Sequence, residues 1–375
     1  MAAVQRILFL NQRRRLRRRR NPRGQLVRPN AVRRLNLDLL DLPDDVLCDR
    51  YRLPREEIMV LLGLVQEELT RRTKRNYALS PTIQLLTTLR FYATGGFLQT
   101  LGDAYGLSKA AVCKCVHAVT KALLRHAPTY ITFPRTRDAL QGTKIGFHAI
   151  GSIPGIVGVV DGTLIPIHTP SLLSPIYTCR KGYSALNIQV ICNHQGLFTD
   201  IVAKWPGSTH DSFIWANSGV CQMASRGAFA GGHVLGDSGY PLRSFIHTPV
   251  LNPQTEAEER YNMAHRRTCS VVERALGILK MRFRCLHKSS GGLRCSPERS
   301  CAIIVVCAML HNIAVLDSVG PGSSRPAAGP LARPRVLEAG RRSARSAAGP
   351  RGRPRVRSLA ALLQIVPKSA ADQQR

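Results

Sequence analysis

The chain has 375 residues, and 54 Lys and Arg against 23 Asp and Glu give a formal charge of +31. With 44% apolar residues it can bury a real core, which excludes a wholly disordered chain. The length predicts about two domains at ~100–200 residues each, and so large a positive excess predicts an anionic partner, nucleic acid ahead of an acidic membrane surface.

The charge is uneven. Residues 1–36 hold twelve Arg and no acid, and residues 318–375 hold eleven Arg and one Lys against Glu338 and Asp372. The stretch between them keeps only +9. Arg13–Arg20 is seven Arg around Leu16. The arm at 1–36 cannot form a core and is expected to be disordered, as a nuclear-type basic signal or nucleic-acid arm. A mitochondrial transit peptide is the weaker alternative, since the arm is nearly free of Ser. The tail at 318–375 is rich in Gly, Ala, Pro and Arg and carries a near-repeat, AAGPLARPRV and AAGPRGRPRV, which reads as a solvated low-complexity segment.

Residues 37–135 read as helical. Pro54 is expected as a first helical residue, with Ile58, Leu61, Leu62 and Val65 forming a stripe behind it. Ser80-Pro81 repeats that start signal. Phe97–Tyr105, a turn at Gly106-Leu107 and a helix at Lys109–Leu124 capped by Ser108 make a helix-turn-helix arrangement over 97–124. The second helix turns Lys109, Lys114 and Lys121 outward. An ordinary helical corner fits the same periodicity.

Residues 136–317 change to an α/β pattern. Strands are expected at Ile156–Val160, Leu186–Cys192, Phe198–Ala203 and Val234-Leu235, with a hairpin at His194-Gln195-Gly196. Helices are expected over Arg266–Leu286 and Ala302–Ile313. The eleven Cys include no Cys-x-x-Cys pair, so reduced thiols are expected rather than a zinc site. The longest apolar run, Cys301–Leu310, falls short of the ~20 residues a membrane span needs.

Three acids stand out. Asp161 follows one strand, Asp237 follows another, and Glu273 lies within a helix. Acids at the ends of buried strands are costly unless paired, bonded or bound to a cation. Converging, they would make an oxygen-only cage suited to a hard cation such as Mg²⁺, which serves phosphodiester cleavage. On the helix, Glu273, Gly277, Lys280 and Arg284 form a stripe beside the core face, as a phosphate-backbone track needs; a solvated polar edge reads the same way. Asp211, beside His210, is a fourth candidate ligand, or else a loop acid at a helix cap. Arg180 and Lys181, with Tyr183, can hold phosphate and stack on a base, or be a solvated charge pair.

The segments GVVDGT (158–163), RKGYSALN (180–187), WPGSTHDS (205–212), LGDSGYPL (235–242), YNMAHRRTCSVVERALGILKMRFRCL (261–286) and AMLHN (308–312) resemble the PIF/Harbinger family of DDE transposases, and within it the domesticated nucleases of animals. The resemblance covers roughly residues 40–315 and leaves out both basic tails. It implies an RNase H-like domain over 136–317, a mixed five-stranded sheet with flanking helices, preceded by an all-α helix-turn-helix domain over 37–135. It implies catalysis by Asp161, Asp237 and Glu273 around divalent Mg²⁺ or Mn²⁺, with Asp211 also on the metal. It further implies DNA as substrate, a Myb-like DNA-binding partner and a nuclear location, with the cytoplasm and an oligomer left open. A domesticated DNA-binding adaptor that has lost cleavage is the rival expectation. Many relatives carry His where this chain has Leu164, which bears on substrate positioning more than on metal.

Overall fold

The computed structural model describes residues 42–71, 78–169 and 174–318. The arm at 1–36 and the tail beyond 318 lie outside the described residues.

Helices come first. They are α1 (Asp44–Tyr51), α2 (Arg55–Leu69), α3 (Pro81–Thr94), α4 (Leu98–Tyr105), α5 (Lys109–Leu124) and the short α6 (Ala127–Tyr130). Pro54 is the N-cap of α2 rather than its first residue, whereas Pro81 does open α3, behind a Ser80 hydroxyl that accepts from the Ile83 N–H at 3.3 Å. Helix α4 stops where Gly106 turns left-handed at φ +62°, and Ser108 caps α5 by accepting from the Ala111 N–H at 3.2 Å. Two helices and a tight turn therefore do occupy 98–124.

The sequence pattern does not announce α1 or α7 (Arg137–Gly151). The latter starts at a Thr136 cap and buries Leu140, Thr143, Phe147 and Gly151. It feeds β1 (Ile156–Pro166), the centre of a five-stranded sheet of order β3-β2-β1-β4-β5. After the one-turn α8 (Ser174–Tyr177), β2 (Ala185–Cys192) and β3 (Phe198–Pro206) run antiparallel to β1 and β2 in turn; β4 (His233–Leu235) lies parallel to β1 and β5 (Ile246–His247) parallel to β4. The sheet is mixed, as the resemblance implies. The β2–β3 turn is the expected hairpin, with Gly196 at φ +79°.

Strand β1 does not end at Val160. It continues six residues further, and Asp161 pairs with Val190 in mid-strand. The Asp-Gly step looks like a turn, yet Thr163, Ile165 and Pro166 remain buried and β2 supplies a ladder partner for each residue through to Pro166.

One apolar core joins the N-terminal helices to one face of the sheet and to α11 (Glu256–Arg282) and α12 (Pro297–Ser318). A second, smaller core covers the other face, where α9 (Asp211–Ala216) and α10 (Gly219–Ser225) pack, with Val157, Val160, Ile191, Trp215, Val234 and Tyr240. Helix α12 is longer than its apolar run suggested, and Pro297–Leu316 is long and apolar enough to cross a membrane. Its most apolar stretch is 78% buried inside the protein, so it packs as a core helix. All eleven cysteines are free thiols.

Candidate active site

Four carboxylates from four elements interact electrostatically around Asp161. Asp161 is half-buried in β1, and its Oδ1 accepts from the Gly162 N–H at 2.7 Å. Asp211 is the first residue of α9 (Asp211–Ala216), Asp237 follows β4, and Glu273 is exposed on α11. Burial pushes Asp161 up to about 7; the negative Asp237, Asp211 and Glu273 push the same way, and the Gly162 N–H opposes them. Each of the other three acids thus disfavours the ionised form of Asp161.

Glycines make the approach possible. A Cβ on Gly162 would overlap the Asp211 carboxylate, and one on Gly239 would stand 3.1 Å from Asp237 Oδ1 and 3.7 Å from Asp211 Oδ2. The chain spells Asp-Gly at 161–162 because the Asp211 carboxylate occupies the space a side chain needs, whereas Gly239 is only closely approached.

Several groups hold the acids in place. The Asn187 amide donates to Asp211 Oδ1 at 2.8 Å and to the Thr209 carbonyl at 2.8 Å. The Gly239 N–H donates to Asp237 Oδ1 at 3.0 Å. His265 on α11 donates through Nε2 to the Gly236 carbonyl at 3.1 Å, bracing the loop that carries Asp237. Lys280 donates to the Thr163 hydroxyl beside Asp161. Burial lowers the Lys280 ammonium and Lys181 lowers it further, while Asp161 raises it.

The donor set is all oxygen with a surplus of negative charge, and the raised Asp161 carboxyl is what a hard cation would relieve. Among the described residues, no three acidic, His or Cys side chains already stand together as a metal cage.

The family model for a DDE superfamily endonuclease matches residues 160–312, which contain all four acids. The chain is 39% identical over 301 residues to the protein named "Putative nuclease HARBI1" of Bos taurus, covering 80% of this chain and 85% of that one. The Homo sapiens protein of that name is 38% identical over the same spans. This chain belongs to the harbinger transposase-derived nuclease family. The plant "Protein ALP1-like" of Arabidopsis thaliana is a more distant relative, 23% identical over 288 residues, 71% of this chain and 69% of that one. No solved structure matches.

Within this family fold the expected phosphate contacts divide into separate places. Lys181 lowers the Lys280 ammonium, and Asp161 opposes it. Arg180 and Lys181 are exposed on the loop ahead of β2, and the neighbouring Tyr183 ring is covered by the Lys288 ammonium at 4.7 Å. Arg284 does not continue the α11 stripe. The helix ends at Arg282, and Arg284 is exposed in a separate short turn. Lys109 and Lys114 are exposed on α5, opposite its buried Val112, Cys115, Val116 and Val119.

The AMLHN motif serves architecture. Asn312 of AMLHN accepts from the Phe198 N–H at 2.8 Å and donates to the carbonyls of Phe198 at 2.7 Å and Tyr130 at 2.9 Å. It ties α12 to the start of β3 and to the helical region at once. His311 reaches the Gly196 carbonyl at 3.2 Å. Leu164 is half-buried in β1 opposite Asn187.

Asn187, Thr163 and His265 were not singled out by sequence reasoning. All three lie inside the quoted motifs, but a polar residue within a strand or helix gives no sign of which neighbour it serves.

Proposed function

We propose that this chain is a divalent-metal-dependent endonuclease that hydrolyses DNA phosphodiester bonds. The observation that carries the reading is the raised Asp161 carboxyl, surrounded by Asp237, Asp211 and Glu273 from three other elements. These four would hold Mg²⁺ or Mn²⁺. A bound ion of this kind activates water and stabilises the leaving oxygen. Asp161, Asp237 and Glu273 are the catalytic acids, and Asp211, fixed by Asn187, completes the ligand set. Lys181 and Lys280 hold the scissile phosphate near Asp161, and Arg180 and Arg284 extend the contact along the backbone. The α4–α5 unit binds DNA through Lys109 and Lys114. A Myb-like partner and a nuclear location belong to the same reading.

The test is nicking of duplex DNA by purified protein with Mg²⁺ or Mn²⁺, beside Asp161→Asn. The expected result is cleavage by the parent protein only. Equal activity in the two proteins overturns the assignment. A DNA-binding adaptor is the second reading, and the observation on its side is that no three ligand groups form a ready cage among the described residues. Calorimetric titration with Mg²⁺ separates the two readings, because an adaptor binds none.

A further inference from the structure

The geometry points to a nucleobase-stacking platform made by Trp205 and Phe213 at the rim of the carboxylate site; this rests on the nuclease reading and names the form of DNA that the site accepts. Phe213 is 50% exposed, and its ring stands 5.1 Å from Trp205 at 84°, edge to face. An edge-to-face pair of this kind leaves ring surface open to a further planar partner. The Lys204 ammonium stands 4.8 Å from the Trp205 ring centre, so positive charge accompanies the aromatic surface. The Trp205 Nε1 is sealed from solvent and meets no acceptor among the described residues, so the ring is set by its faces and not by its polar edge.

The pair is fixed to the acids by two routes. Trp205 sits opposite Asn187 in the β2–β3 ladder, and Asn187 is the residue whose amide holds Asp211. Phe213 lies two residues after Asp211 on α9. A single exposed Phe is ordinary. An exposed Phe braced on a Trp whose ring carries a cation, with a carboxylate of the site on the same short helix as the Phe, is not scattered surface. Base faces stack on aromatic rings whatever their sequence, but a base in duplex offers its face only after leaving the stack. The platform therefore fits a substrate with an unpaired or extruded base next to the cut phosphate.

The chain has two Trp, and Trp215 is 1% exposed, so a change in fluorescence on binding reports Trp205. The test uses the full chain carrying Asp161→Asn, titrated with a short oligothymidylate and with an abasic oligomer of equal length and charge. The expected result is quenching and tighter binding with the base-bearing strand. Phe213→Leu should weaken that strand about tenfold, leave the abasic strand unchanged, and be rescued by Phe213→Tyr. Thermal melting checks that the variants fold. Equal binding of the two oligomers overturns the platform, and so does an unaffected Phe213→Leu or no binding of either strand. The nuclease reading is judged separately, by Mg²⁺-dependent nicking in the parent protein: nicking with no base preference sinks the platform alone, and base-dependent quenching without nicking sinks the nuclease alone.

Discussion

Asn187 on β2 donates through its amide to Asp211 Oδ1 at 2.8 Å. The same nitrogen donates to the Thr209 carbonyl at 2.8 Å, so the turn leading into α9 and the acid that begins it are fixed by one side chain. Asn187 is buried, at 7% exposure, so no solvent replaces it cheaply. Partners that orient a ligand group commonly change metal affinity or activity about 10–100-fold when lost. Asn187→Leu should therefore weaken Mg²⁺ binding by that order and lower kcat, with KM for DNA little changed. Metal titration and steady-state nicking read the two effects. A change in KM alone would mean that Asn187 acts on DNA and not on the acid.

The pH dependence of the metal-free protein follows from Asp161. Its carboxyl is raised to about 7 from 3.8, so the folded state holds a proton that the unfolded chain has released between those values. Stability that needs the proton is present at low pH and is lost as pH rises toward 7. The Tm of the metal-free protein should thus climb on acidification from pH 8 to pH 5, and more steeply than in Asp161→Asn. Saturating Mg²⁺ should remove most of the difference, since the ion takes the place of the proton. A Tm difference between the two proteins that is flat over this range would mean that Asp161 is ionised throughout.

Much of this site was legible in the residues themselves, and the reason differs from one residue to the next. Asp237 and Glu273 announce themselves because each is an acid beside a strong apolar pattern. Asp161 is equally visible, yet the Asp-Gly step suggested a strand end where the strand in fact runs on to Pro166. Gly162 there answers to the neighbouring Asp211 carboxylate and not to a turn. Helix α7 was missed because its buried face includes Thr143 and Gly151, which do not register as an apolar stripe. Strand β5 is two residues long, too short for any alternation to show. Lys280 was readable as a cation near the acids, but its bond to Thr163 spans 117 residues and is set only by the packing of α11 on β1.

Gly162 gives a sharp steric test. A methyl group there overlaps the Asp211 carboxylate, while Gly162 needs no left-handed backbone. Gly162→Ala should displace Asp211 without strain in β1, so the Tm should move by only a few degrees. Under the nuclease reading, cleavage should fall by more than about tenfold, since an acid displaced by roughly 1 Å leaves a reactive geometry. Full activity in a well-folded Gly162→Ala protein would show that Asp211 is not needed where it stands.

Asn312 supplies the corresponding test of architecture. Its side chain satisfies the Phe198 N–H and two carbonyls, on β3 and in the helical region, in a place where Asn312 itself is 2% exposed. Asn312→Ala removes all three partners and leaves the backbone groups of Phe198 without a substitute. Each buried group so stranded costs about 1–3 kcal/mol, and strand β3 supplies two of them. The expected loss is therefore on the order of 2–6 kcal/mol in urea unfolding, with an unchanged m-value if the protein remains a single cooperative unit. Because the same amide also reaches the Tyr130 carbonyl, a second outcome separates two architectures. If the helical region and the sheet unfold together, Asn312→Ala lowers one transition. If the link between them is weak, the variant splits the curve in two, with the helical region melting first.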